Sequence, residues 1–385
     1  MALLLISLFL LIPYAALILY YRQSWLQMKN YEIDNGNVPL TTVSVIIPAR
    51  NEEKNIGRCI KSILEQTYAK HLLEVIVVDD YSTDQTVNVV AAFNKSNIRI
   101  IKLADIVGDA KLNSYKKKAV ETGIANAMGD LIITTDADCT APAKWIETVV
   151  SLYQQTRPVL IVAPVSYARP AAADPVFTKF FKIFQALDFM TLQGITGAGV
   201  SKKIHNMCNG ANLAYERKVF YEVDGFKGID KIASGDDMLL MHKIQKIYPR
   251  RITYLKSPEA IVQTKAASTV AEFINQRIRW ASKADKYPDF KITAVLAFVY
   301  LFNAWILILA VISLTSFDAL FLLVLVLVGK TFVEFTFLFP VANFFKSKKA
   351  LWWFVPSQPF HIIYMLVAGW LGKFGTYTWK GRKVK

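Results

Sequence analysis

Three aspartate pairs mark the chain: Asp79-Asp80, Asp136-Ala137-Asp138 and Asp236-Asp237. The middle pair ends an apolar, largely β-branched run, Leu131-Ile132-Ile133-Thr134-Thr135, which reads as a buried strand. Packing alone does not call for a carboxylate there, because an unpaired buried charge is costly. Alternate residues of extended chain point to the same side, so Asp136 and Asp138 can converge on one cation or one polyol. Their hard oxygens suit Mg²⁺ or Mn²⁺, which bind a few carboxylates together with the phosphates of a substrate. Two solvated loop aspartates are the alternative, and the surrounding elements decide between them.

Those elements alternate. Val43 to Ile47 forms a strand broken by Pro48, and Ala49-Arg50-Asn51-Glu52-Glu53 leads into a helix with Ile56, Cys59, Ile60, Ile63 and Leu64 on its apolar face. Acids in the first turn of that helix suit its dipole. Leu73 to Val78 is a second buried strand ending in Asp79-Asp80, followed by a turn and N-cap at Ser82-Thr83-Asp84. A third strand runs from Ile98 to Leu103. Lys116-Lys117-Lys118 then opens a helix that reaches Met128 and is broken by Gly129. Strand–helix alternation predicts a mainly parallel α/β sheet, whose ligands bind outside the carboxyl ends of the strands. Pro48, Asp79/Asp80 and Asp136/Asp138 all fall at such ends.

The segments VSVIIPARNE, VIVVDDYSTDQT, the lysine-rich stretch and TTDADC together resemble the nucleotide-binding half of family 2 glycosyltransferases, inverting enzymes of the GT-A fold. The resemblance spans roughly residues 43 to 285. It implies that Pro48, Arg50, Glu52 and Asp80 line a nucleoside pocket, with Asp80 nearest the base. It also implies that Lys116 approaches the diphosphate, that Asp136 lies near ribose and metal, and that Asp138 is the direct ligand of Mg²⁺ or Mn²⁺. The family often carries Gly before this lysine, where this chain has Tyr115.

Further along, Asp174-Pro175 suits an N-cap and first helical position. Val176 to Leu192 then puts Phe177, Phe180, Phe181, Phe184, Leu187 and Thr191 on one face. This is either a core helix or an interfacial one, with Lys179 and Lys182 reaching lipid phosphates. The glycine-rich residues 194–199 are expected to break the chain. In Cys208-Asn209-Gly210-Ala211-Asn212, Gly210 permits close backbone approach and Asn212 can hydrogen-bond a sugar hydroxyl, unless the segment is an ordinary turn. Asp236-Asp237 precedes an apolar helix from Met238 to Ile247 and could merely cap it. By the resemblance, Asp237 is the general base that deprotonates the attacking hydroxyl and Asp236 its orienting neighbour. His242, about one turn on, reads as packed or superficial.

Ile252 to Leu255 and Ala260 to Gln263 read as short strands. Thr269 and Glu272 form a capping box, and the helix they open carries Gln276-Arg277-Ile278-Arg279-Trp280. Gln276 and Arg279 share a face. Arg279 can clamp a diphosphate bidentately, and Trp280 can stack on an acceptor sugar ring. This Gln-x-x-Arg-Trp pattern is typical of membrane-integrated relatives, both polysaccharide synthases and glycolipid-forming enzymes of the ceramide glucosyltransferase type.

Hydrophobic residues make up 54% of the 385, and the mean hydropathy is +0.31. The excess is localised. Ala2 to Tyr21 carries no charge and is long enough for a bilayer core of ~30 Å. Without a basic leader or a cleavage site it reads as an anchor. Further apolar runs lie at Ile292–Leu314, Ala319–Asn343 and Leu351–Leu371. Much of the +15 net charge flanks them: from Val341 onward there are eight Lys or Arg and no acid. That pattern marks a cytoplasmic membrane face, not nucleic-acid binding. Cys59, Cys139 and Cys208 are odd in number and widely spaced, so they read as reduced thiols.

The expected organisation is an anchor at 1–21, a connector with a turn at Asn35-Gly36, a cytosolic GT-A domain at 41–285, a membrane region at 290–375 and a basic tail at 376–385. Two spans form a hairpin, and residues 351–371, with Pro356 and Pro359, read as an interfacial or re-entrant helix pair. Lys330 and Glu334 are either a structural pair or part of an acceptor path. The expected protein is a multi-pass transferase of a bacterial inner membrane. It would move a sugar from a nucleotide sugar, UDP-linked, to a lipid acceptor. A processive polysaccharide synthase and a non-catalytic scaffold or sensor are the alternatives.

Overall fold

The computed structural model describes residues 1–33, 40–108, 112–232, 234–283, 289–379 and 382–384. The Asn35-Gly36 turn and Lys380 and Lys385 of the basic tail lie outside the described residues. In chain order the first elements are α1 (Ala2–Gln27), β1 (Val43–Ala49), α2 (Ile56–Leu64), β2 (Leu73–Asp79), α3 (Thr86–Ala91) and β3 (Ile98–Lys102). Next come α4 (Leu103–Val107), α5 (Tyr115–Ala125), β4 (Leu131–Thr134), α6 (Trp145–Thr156), β5 (Leu160–Val162) and β6 (Val165–Tyr167). These are followed by α7 (Val176–Lys202), β7 (Leu213–Glu216), α8 (Arg217–Glu222), α9 (Met238–Ile247), β8 (Ile252–Tyr254) and β9 (Val262–Thr264). The chain closes with α10 (Val270–Ala281), α11 (Phe290–Ile312), α12 (Phe317–Phe344), α13 (Phe354–Phe374) and a hairpin of Tyr377–Trp379 with Arg382–Val384.

The elements fall into two compact units, one of residues 29–168 and 206–265, the other of 1–28, 169–205 and 266–385. The first is the α/β unit. Its seven strands lie in the order β3-β2-β1-β4-β7-β5-β8. β3, β2, β1 and β4 are mutually parallel, β7 runs against both of its neighbours, and β8 is parallel to β5. The carboxyl ends of β1, β2 and β4 therefore share one edge, as the alternation predicts. β1 is not broken by Pro48 but runs through it to Ala49. The reason lies in the ladder: pairing with β4 stops at Ile46, so the missing N–H of Pro48 removes no bond there.

Every residue of β2 is buried, as expected for a strand with both faces covered. Ile56, Cys59, Ile60 and Ile63 of α2 are buried at helical spacing. Gly123 lets α5 lie against β1, since a Cβ there would sit 2.5 Å from Ile46 Cγ2. At the opposite end of the strands, the buried Glu74 accepts hydrogen bonds from Ser44 Oγ, from the Met128 N–H at 2.6 Å and from Arg99 Nη2 at 2.6 Å. One carboxylate thus ties three strands to the turn that enters β4.

The second unit is helical. α1, α11 and α12 are each long and apolar enough to cross a membrane. Lys330 in α12 is fully buried, 2.7 Å from Glu334, and donates to Gln358 Oε1 at 2.8 Å. Gln358 Nε2 in turn donates to Glu334 Oε2 at 2.7 Å, and Tyr14 OH also donates to Glu334. Of the two readings of this pair, the closed network fits the structural one. The segment expected to be a helix pair is a 3-10 turn, Lys348–Trp353, followed by the single helix α13. Pro356 falls in the first turn of that helix, where its missing N–H removes no intrahelical bond, while Pro359 lies inside the helix.

The expected break at residues 194–199 does not occur, because α7 runs without interruption to Lys202. Its glycines serve close packing. A Cβ on Gly194 would meet Val341 at 2.8 Å and Phe337 at 2.9 Å, and one on Gly199 would meet the His205 carbonyl at 2.5 Å. Asp174 is not the N-cap, which is Pro175. Its carboxylate instead accepts from Ala171 N–H and Lys182 Nζ, each at 2.8 Å. Phe181 and Phe184 of α7 pack with Phe273 and Ile278 of α10 and Tyr364 and Ala368 of α13. This apolar nest explains why residues 169–205 and 266–283, expected in the α/β domain, group with the long helices.

Candidate functional site

The loops leaving β1 and β2 are stapled together. Arg50 Nη1 donates to the carbonyls of Asp80 at 2.7 Å and Tyr81 at 3.1 Å, and the Asp80 N–H donates to the Ala49 carbonyl at 2.7 Å. Asn51 and Tyr81 both adopt left-handed backbone, at φ +52° and +53°. Such turns are less costly for Asn than for Tyr. Asn51 Oδ1 accepts the Thr83 N–H at 2.8 Å, and Ser82 Oγ accepts the Asn51 N–H at 3.0 Å. Glu52 is anchored through its N–H to Thr86 Oγ1 at 2.7 Å, while its carboxylate accepts from Asn55 Nδ2 at 2.7 Å. Pro48, Arg50, Glu52 and Asp80 therefore form one braced rim, with Asp80 only 2% exposed.

Beyond β4 burial goes on alternating: Ala137 and Cys139 are buried, while Asp136 and Asp138 are half-buried. The segment closes in a turn, with the Cys139 N–H donating to the Asp136 carbonyl at 3.1 Å. Thr140 and Gln263 exchange backbone bonds at 2.8 Å, which brings up Thr264, whose Oγ1 donates to Asp138 Oδ2 at 3.0 Å. Sequence reasoning does not find Thr264, because only long-range pairing delivers it. Burial pushes the Cys59 thiol up, and the carboxylates of Asp138, Asp136 and Glu52 add to the effect.

Lys116 joins this rim to the third aspartate pair. Its ammonium lies 2.8 Å from Asp136 Oδ1 and 3.3 Å from Asp236 Oδ2. Burial alone would lower its pKa, but Asp136 and Asp236 outweigh that and hold it protonated well above the ordinary lysine range. Asp237 caps α9, accepting the Met238 N–H on Oδ1 at 2.7 Å and the Gly210 N–H on Oδ2 at 3.0 Å. Gly210 is held in turn by Thr134 Oγ1, which donates to its carbonyl at 3.0 Å. A Cβ on Gly210 would stand 3.2 Å from Asp236 Oδ2, so close approach is its function here.

Lys117 is also invisible to sequence reasoning, hidden in a run of three lysines. It is 2% exposed, and its ammonium donates to the carbonyls of Ile229, Ile232 and Ser234, fixing the approach to Asp236-Asp237. The structure corrects Asn212. It is 1% exposed, with Oδ1 accepting from Trp145 Nε1 at 2.9 Å and Nδ2 donating to the carbonyls of Pro164 and Ala260 at 2.8 Å. With both amide hydrogens engaged, it braces the loop and is not placed to contact a sugar. His242 is buried, in keeping with packing.

The donor set suits a divalent cation. Asp138 and the neighbouring Asp136 offer only oxygen, and the Lys116 ammonium at 2.8 Å offsets the charge of Asp136. Among the described residues, no three His, Cys, Asp or Glu side chains could hold a metal by themselves. A cation here would therefore complete its shell with substrate oxygens.

Gln276, Arg279 and Trp280 lie on α10 in the helical unit. Thr269 caps it, its Oγ1 accepting the Glu272 N–H at 3.1 Å, while the Glu272 carboxylate accepts from the Ser268 N–H at 2.8 Å, one residue before the N-cap of the expected box. Arg277, between the motif residues, is 4% exposed and forms an ion pair with Asp188 at 2.7 Å.

The profile of glycosyl transferase family 2 matches residues 44–223. Among curated proteins, the chain is 34% identical over 133 residues to glycosyltransferase AglE of Haloferax volcanii, covering 34% of this chain and 41% of that one. It is 28% identical over 282 residues to a Bacillus subtilis protein named "Probable glycosyltransferase YdaM", covering 69% and 62%. It is 31% identical over 174 residues to 4,4'-diaponeurosporenoate glycosyltransferase of Staphylococcus aureus, covering 44% and 41%. The chain thus spans less than two thirds of each of these relatives. Among solved structures, the mannosyltransferase PcManGT of Pyrobaculum calidifontis, in complex with GDP-Man and Mn²⁺, superimposes with a TM-score of 0.59 at 21% identity, over 96% of this chain and 98% of that one. The α/β unit has the GT-A fold.

Proposed function

We propose that this chain, which carries a glycosyl transferase family 2 domain at residues 44–223, transfers a sugar from a nucleoside-diphosphate sugar to a hydroxyl of a lipid acceptor, with inversion at the anomeric carbon. The observation that carries this reading is Lys116, 2.8 Å from Asp136 and 3.3 Å from Asp236. It links the strand-end Asp136 to Asp236, next to the residue that caps α9.

In this reading Arg50, Glu52 and Asp80, with Pro48 beside them, receive the nucleoside, and Lys116 and Asp136 face the diphosphate and ribose. Asp138 would hold Mg²⁺ or Mn²⁺, which when bound offsets the charge of the leaving diphosphate. Asp237 accepts the proton of the acceptor hydroxyl, and the Gly210 N–H and the start of α9 hold that carboxylate in place. Arg279 and Gln276 serve the diphosphate, and Trp280 offers an aromatic face to the acceptor sugar or headgroup. The chemistry named for the Staphylococcus aureus relatives, together with three helices fit to cross a membrane, favours an apolar acceptor over a growing polysaccharide. The same helices support a membrane-anchored enzyme whose α/β unit meets cytosolic nucleotide sugars.

The test is incubation of the detergent-purified chain with UDP- and GDP-sugars, Mn²⁺ or Mg²⁺, and a membrane lipid extract. A single glycolipid with stoichiometric nucleotide release is expected. A ladder of products would replace the lipid reading with a polymerising one, and no release from any donor would return the chain to a binding role.

A further inference from the structure

Arg277, inside the Gln-x-x-Arg-Trp motif, is not one of the motif's named positions, yet it is the most enclosed charge on α10. Its guanidinium lies 4.6 Å from the Phe273 ring centroid and 4.1 Å from that of Trp280. Phe273, Arg277 and Trp280 are spaced by four and three residues, so they form one stripe along the helix. Asp188 Oδ2 of α7 lies 2.7 Å from Arg277 Nη2 as an ion pair, and both side chains are 4% exposed. Asp188 is itself held from α13, by the hydroxyl of Tyr364, with His361 Nε2 at 3.7 Å.

The surroundings are apolar: Phe181, Phe184, Phe273, Ile278 and Tyr364. A buried ion pair in such a nest is weak evidence for stability, since hydrophobic residues of similar volume often do as well. What a hydrophobe cannot supply is a flat cation fixed against an indole. From this geometry we infer that Asp188 and Arg277 are positioning residues for Trp280, setting the ring that is to meet the acceptor. Tyr364 fixes the Asp188 carboxylate, and the carboxylate fixes the guanidinium. The guanidinium covers one face of the indole, while Phe189, at 6.0 Å between ring centroids, limits its tilt. The inference rests on the acceptor role proposed for Trp280.

The variants are Arg277→Lys, which keeps the charge but loses the plane, and Tyr364→Phe, which removes the hydroxyl and leaves the ring. Each is compared with wild type in detergent-purified full-length protein by hydroxyl-radical footprinting of Trp280, read by mass spectrometry. Acceptor KM and donor KM are measured alongside. Arg277→Lys is expected to raise Trp280 labelling and acceptor KM, the latter about tenfold, with donor KM and melting temperature held. Tyr364→Phe should shift both in the same direction but less. Unchanged Trp280 labelling in Arg277→Lys overturns the inference. So does a fall of donor and acceptor parameters in step with melting temperature, which marks a role in folding alone. If wild type transfers to no lipid, the proposed function fails, and the footprint alone still decides whether Arg277 holds Trp280.

Discussion

The Gly210 N–H donates to Asp237 Oδ2 at 3.0 Å, while the other oxygen of the same carboxylate caps α9. The two bonds together fix the orientation of the carboxylate between the loop and the helix. Gly210→Ala would place a Cβ 3.4 Å from Asp237 Cβ and 3.2 Å from Asp236 Oδ2. Displacing the pair by a few tenths of an ångström is expected to lower kcat about tenfold, with nucleotide affinity kept. Initial rates of nucleotide release, set beside nucleotide titrations, check this.

Asp237→Asn retains a side chain able to cap α9 but removes the proton acceptor. Transfer should fall by about 10² to 10⁴ while nucleotide binding and melting temperature hold. Retention of wild-type turnover would remove Asp237 from the mechanism.

Lys116 sets the pH behaviour on the alkaline side. Burial lowers its pKa, the Asp136 and Asp236 carboxylates raise it further, and the net shift is upward. A raised folded pKa means a stabilising contribution that is complete below the unfolded value of about 10.4 and lost only as pH climbs beyond it. No loss from this group is therefore expected between about pH 6 and 9. Lys116→Gln should weaken donor binding by roughly tenfold or more at every pH in that window. Donor titrations across the window test both statements.

Glu74 governs the acid side. Burial would raise its carboxyl, but hydrogen bonds from Ser44 and Met128 and the Arg99 guanidinium hold it below the usual range. A depressed folded pKa gives stability that is present above the unfolded value of about 4.3 and lost as pH falls through the folded one. Glu74→Gln should cost about 1–3 kcal/mol near neutrality and flatten the acid limb of a stability–pH curve. Denaturation of the detergent-purified chain at several pH values measures both.

In α12, removing one member of the Lys330–Glu334 pair leaves a buried charge, and Lys330→Met is expected to destabilise by about 3–5 kcal/mol. Adding Glu334→Met should restore much of that loss and leave transfer intact. A stable double variant that no longer transfers would favour the acceptor-path reading.

Much of the site is legible in the sequence because a charge at the end of a buried strand seldom serves packing. Asp80, Asp136 and Asp138 stand out for that reason, and the helix from Met238 to Ile247 and the Thr269 N-cap announce their own boundaries. Other features carry no local signal. β5, β7 and β8 are three or four residues long, too short for a periodicity to establish itself. Glycines within 194–199 suggest a break, although the same residue type serves tight helix packing and only the facing helix tells the two apart. Asn212 misleads because a buried brace and a ligand contact use the same amide. Thr264 and Lys117 act across more than a hundred residues.

The reversed strand also has a consequence for how the chain is made. β5 has only β7 and β8 as hydrogen-bonded neighbours, and both lie later in the chain. The strands up to β4 can pair as they leave the ribosome, whereas β5 must wait with both edges open while all of α7 is synthesised. Open edges invite pairing with other chains. The vulnerable moment in biogenesis thus narrows when residues 213–216 cover one edge of β5, and ends only when residues 252–254 arrive to cover the other.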